Sequence, residues 1–151
     1  MKKLLAIFMI LMLYCMSLSG VSAADNRSGL KKVFVEISYN DSSDRDVVGL
    51  TLFYHLYDEI KKLDGVEVSN TNVPRMQVIF SSVNPQQITA EAAGMLTIYS
   101  VVWNIVIPKD TPFYCDTTVG ICGKNALKVL AADLAHETNN YANKLIRELN
   151  D

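Results

Sequence analysis

Residues 95–107 read Met95-Leu96-Thr97-Ile98-Tyr99-Ser100-Val101-Val102-Trp103-Asn104-Ile105-Val106-Ile107, with no glycine or proline and a majority of β-branched or aromatic side chains. Such side chains crowd the preceding turn of a helix and fit a pleated surface, so the stretch predicts a long strand. Alternation assigns its faces. Met95, Thr97, Tyr99, Val101, Trp103, Ile105 and Ile107 share one side, while Ser100 and Asn104 interrupt the other, which predicts that this second side is only partly covered. Trp103 shares its side with other apolar residues and is therefore expected in the core. Were that side open instead, Trp103 and Tyr99 would suit a small-ligand carrier.

Working outward, Met76 to Val83 is a second strand signal, with Met76, Val78 and Phe80 on one face and Asn84-Pro85 as a turn behind it. Val66 to Ser69 is a shorter one. Lys32 to Tyr39 alternates Val33, Val35, Ile37 and Tyr39 against Lys32, Glu36 and Ser38, which predicts a half-buried strand. Between these strands Gly49, Leu52, Phe53, Leu56, Ile60 and Leu63 form a helical stripe, capped by Ser43 or Asp44 and ended by Gly65. Leu127, Leu130, Ala131, Leu134, Tyr141, Leu145 and Leu149 form another, with Asp133, Glu137, Lys144 and Glu148 outside it. Residues 108–125, with Pro108, Pro112, Gly120 and Gly123, read as a loop.

The predicted order is β-α-β-β-β-α. It implies an α+β fold: a mixed four-stranded sheet with two helices packed on one face, the first helix making a right-handed crossover. In element order this resembles small modules of bacterial envelope proteins such as the N-terminal domain of the translocation protein TolB. The resemblance brings no functional residues with it.

The amino terminus speaks to location. Lys2 and Lys3 precede the apolar run Leu4 to Leu18, which is shorter than a bilayer span, and Val21-Ser22-Ala23 supplies small residues for a cut between Ala23 and Ala24. Residues 1–23 are thus expected to be a cleaved signal peptide, 24–30 a flexible leader and 31–151 a single domain, periplasmic or secreted. The alternative is retention of 1–23 as an anchor. The short, lysine-led signal favours a bacterial host. The whole chain has 14 basic and 16 acidic residues; loss of Lys2 and Lys3 leaves 12 against 16, a net charge of −4. Its basic residues are scattered, so nucleic acid is not an expected partner.

Cleavage also removes Cys15 and leaves Cys115 and Cys122. Two cysteines in an oxidising compartment predict a disulfide, closing a loop with Phe113 and Tyr114 at its foot and Val119 and Ile121 at its tip. These four residues are the candidate binding residues, since a bridged loop with an apolar tip is ordered before it meets a partner. The plainer reading is that the bridge fixes the entry to the last helix while Phe113 and Tyr114 cover the core.

Catalytic motifs are sparse. His136-Glu137 resembles half of a zinc-protease helix motif, but Asn140 stands where the second histidine belongs. His55 lies at the border of its helix's stripe. No serine sits in a G-x-S-x-G elbow, and Gly120 to Lys124 lacks the spacing of a phosphate loop. Asp41, Asp44 and Asp46 fit helix capping better than calcium binding. No cofactor and no metal site is predicted. The expected function is that of an exported, non-enzymatic binding or accessory domain acting through a protein partner, by the 115–122 loop or the less-covered sheet face. The alternatives are a small periplasmic enzyme with a site around His136, joined by Asp110 or Glu137, and a secreted enzyme-inhibitor-like protein.

Overall fold

The computed structural model describes residues 32–41, 46–85, 94–109 and 111–150. The expected signal peptide, its cleavage site and the leader, together with the Ser43 and Asp44 caps and Asp110, lie outside the described residues. The elements are β1 (Val33–Asp41), α1 (Val47–Lys61), β2 (Val66–Val68), β3 (Arg75–Val83), β4 (Leu96–Ile107), β5 (Thr111–Gly123) and α2 (Leu127–Asn150).

They form one mixed sheet in the order β2-β1-β3-β4-β5. β1 lies parallel to β2 and to β3, while β3, β4 and β5 run antiparallel in a meander. The α+β class and the placement of the helices are as the sequence predicts, with one correction. The sheet has five strands rather than four, because residues 111–123 are a strand and not a loop. Pro112 is tolerated near the start of a strand at the sheet edge, where its missing N–H need not break a ladder. Gly120 lies opposite Tyr99, and a Cβ there would stand 2.7 Å from the Tyr99 hydroxyl, so the glycine makes room for the ring. Pro112 and Gly120, two of the residues that read as loop punctuation, are thus compatible with a paired edge strand.

One face of the sheet holds the core. Val33 and Val35 of β1, Met76, Val78 and Phe80 of β3, and Tyr99, Val101 and Trp103 of β4 are buried against Val48, Leu52, Leu56 and Ile60 of α1 and Leu127, Ala131, Leu134, Ala142 and Leu145 of α2. Trp103 is 0% exposed, as expected, and its indole N–H donates to Thr138 Oγ1 at 2.9 Å, which in turn donates to the Leu134 carbonyl. This satisfies a buried donor that would otherwise cost about 1–3 kcal/mol.

At the carboxyl ends of β1 and β3 the N-terminus of α1 is tied down by Asp46. Asp46 is buried; its Oδ1 accepts the Gly49 N–H at 2.9 Å and its Oδ2 accepts the Thr97 hydroxyl. One carboxylate therefore caps the helix and joins it to β4.

Candidate binding surface

The alternation of β4 that fills the core also decides the other face. Thr97, Tyr99, Val101 and Trp103 are buried, whereas Leu96, Ile98, Ser100, Val102 and Asn104 between them are only half-buried. Register extends this pattern in rows across the sheet. Val83, Ile98 and Ile121 form one row, Ser81, Ser100 and Val119 the next, and Ile79, Val102 and Thr117 a third. Below them Gln77, Asn104 and Tyr114 make a polar row, in which Asn104 Nδ2 donates to Gln77 Oε1 at 3.3 Å. Beside it Arg75 Nε donates to Glu36 Oε2 at 2.7 Å, an ion pair largely shielded from solvent. Both described helices pack on the opposite face. Among the described residues no element covers these rows, so a band of apolar side chains remains open, flanked by a polar strip.

All four candidate residues sit on β5 and are well exposed: Phe113 51%, Tyr114 65%, Val119 70% and Ile121 69%. Val119 and Ile121 join the open face, paired with Ser100 and Ile98, and Tyr114 pairs with Asn104 below them. Phe113 pairs with Ile105, whose side is that of the helices. The change of side follows from a register shift between Trp103 and Asn104, which leaves Cys115 as the extra residue of a bulge. The sequence reading did not single out Ile98, Val102, Ile79 and Val83 as binding residues. The serine and asparagine interruptions of β4 were the signal that could have located them.

The disulfide is the principal correction. Cys115 and Cys122 are free, the first half-buried and the second buried. They lie seven residues apart on one extended strand, a separation of about 24 Å at ~3.4 Å per residue, whereas bridged cysteines need Cα atoms about 4.4–6.8 Å apart. Burial pushes both thiols above their ordinary range, so neither is held as a reactive thiolate. The bridged loop with a preordered tip does not exist; its residues are held by the β4 ladder instead.

Between β5 and the second half of α2, Met76, Ile105 and Leu145 floor a cleft of about 240 Å³ rimmed by Tyr114, Cys115, Tyr141, Lys144 and Glu148. At its edge the Tyr141 hydroxyl donates to Asp116. That bond pushes the Tyr141 pKa up to about 12, with burial adding to it, and the same bond with the Thr117 N–H holds the Asp116 carboxyl below its usual value. The pair fastens β5 to α2. A second cleft, at the other end of β5, is lined by Ile121, Cys122, Ala126, Val129, Leu130 and Asp133.

His136 is exposed on α2 and lines neither cleft; Glu137 is half-buried beside it, and His55 is half-buried on α1. No group of three or more His, Cys, Asp or Glu side chains suited to a metal ion occurs among the described residues. No described helix is long and apolar enough to cross a membrane.

No protein-family model matches the chain, and no curated protein matches it. Among solved structures, a PelC variant dodecamer from Paraburkholderia phytofirmans is similar at a TM-score of 0.45 and 8% identity, over 72% of this chain and 84% of that one. The likeness is too distant to bring a fold or a function with it.

Proposed function

We propose that the chain is an exported, non-enzymatic binding domain of the cell envelope that acts through a protein partner seated on the open sheet face. The observation that carries this reading is the band formed by Ile79, Val83, Ile98, Val102, Val119 and Ile121, which no described element covers. Apolar side chains left partly open in neighbouring rows of one sheet face are costly to leave in water, and such a surface marks a docking face on many soluble domains. The partner that fits is a protein with an apolar ridge to meet the band and hydrogen-bonding groups to meet the strip of Gln77, Asn104 and the Glu36–Arg75 pair. Export rests on the amino-terminal sequence, Lys2-Lys3 before an apolar run and Val21-Ser22-Ala23 before the cut.

A crosslinked pull-down from the native envelope tests the reading, with the full chain beside an Ile98→Lys/Val102→Lys variant and a milder Ile98→Thr/Val102→Thr variant, each checked for folding by its thermal transition. The expected result is one stoichiometric protein captured by the wild type, weakened by the threonine pair and lost with the lysine pair, on a chain whose N-terminus is Ala24. Equal capture by all three folded forms would remove the open face from the account.

A further inference from the structure

β5 is the last strand of the sheet, so among the described residues one of its two edges has no strand beside it. Sheet edges in native proteins are shielded by brevity, by lysine or proline, or by a bulge. The opposite edge, β2, is shielded by brevity, being three residues long; β5 has 13. Pro112 and the bulge at Cys115 disturb only the first part of β5. From Asp116 to Gly123 the strand is regular, contains no lysine, arginine or proline, and has one charge, the Asp116 carboxylate already held by Tyr141 and the Thr117 N–H.

We propose that this edge pairs with the same edge of a second copy of the chain, antiparallel and centred on Val119, joining two five-stranded sheets into one. The inference uses the edge of the sheet and goes beyond the open-face reading. Three observations select a second copy. A long ladder needs a partner edge of matching length, and β5 offers that to itself while β2 cannot. Centring on Val119 pairs Asp116–Cys122 with the same stretch of the second copy, three residues on either side. On the open face it sets Val119 against its counterpart and Thr117 against Ile121, cross-strand pairs of β-branched residues that stabilise antiparallel ladders. Pairing like with like also closes the assembly at two copies. The two open faces would then form one continuous platform.

The test is sedimentation velocity of the purified full chain over a concentration series, with Val119→Lys, Val119→Glu, an equal mixture of the two, and Val129→Lys on the exposed side of α2. Wild type and Val129→Lys should dimerise. Each Val119 variant alone places like charges directly opposite and should raise the dissociation constant by roughly tenfold or more, and mixing them should restore the dimer. Amide exchange of 116–122 should slow as wild-type concentration rises. A wild type that stays monomeric throughout, a dimer indifferent to both charges, or a mixture that fails to recover would overturn the proposal. A monomer that still captures a partner on its open face overturns this inference alone, and a dimer that captures nothing overturns only the open-face reading.

Discussion

Gly49 shows how little freedom single positions have near the start of α1. A Cβ at this residue would overlap the Ser82 side chain and the Asp46 carboxylate, both fixed in buried surroundings. Gly49→Ala should therefore destabilise the fold by about 1–3 kcal/mol, although alanine is the better helix former by up to ~1 kcal/mol. Urea unfolding should show a lower midpoint with an unchanged slope. The Tyr141–Asp116 bond gives a second residue-scale prediction. Because the folded pKa of Tyr141 is raised above its unfolded value of about 10, its contribution is complete below pH 10 and is lost as pH rises toward 12. For Asp116 the shift is downward, so its contribution is present above its unfolded pKa and disappears on acidification through the folded one. Site-specific NMR of the Tyr141 ring should record titration near 12, moving toward 10 in Asp116→Asn; an unchanged titration would show that the bond is not made.

At the scale of elements, β5 is where sequence and structure part. Strands β1, β3 and β4 were legible because alternation over eight or more residues with no glycine or proline leaves little choice, and both helices because their stripes recur at helical spacing. Within β5 the β-branched run Thr117-Thr118-Val119 carried a strand signal, but Pro112, Gly120 and Gly123 carried a turn signal of equal weight. What settled the matter is tertiary: the Leu96–Ile107 ladder lies alongside, and Tyr99 needs the space above Gly120. The disulfide expectation failed with the loop, since an extended strand holds its two cysteines apart. Alkylation under denaturing, non-reducing conditions should accordingly label both Cys115 and Cys122. In the folded chain Cys122, 2% exposed, should react far more slowly than the same residue after unfolding. Failure of either thiol to label in the denatured chain would return a bridge to consideration.

For the molecule as a whole, two helices pack on one face of a five-stranded sheet, and no described helix lies over the apolar rows of Ile79, Val83, Ile98, Val102, Val119 and Ile121 on the other. The polar interruptions Ser100 and Asn104 made the partial cover of this side legible in the sequence. Which apolar residues would line up there was not, because rows across a sheet depend on register, and register is fixed by pairings between residues far apart in the chain. Val83, Ile98 and Ile121 come together only once β3, β4 and β5 are aligned. The central claim is that this face meets a protein partner, and it is tested most directly by placing a photoreactive side chain singly at Ile98, at Val102 and, as a control on the helical layer, at Val129. The account predicts crosslinks to one and the same protein from the first two positions and none to it from the third. Crosslinks confined to Val129, or no adduct from either position on the sheet, would contradict it.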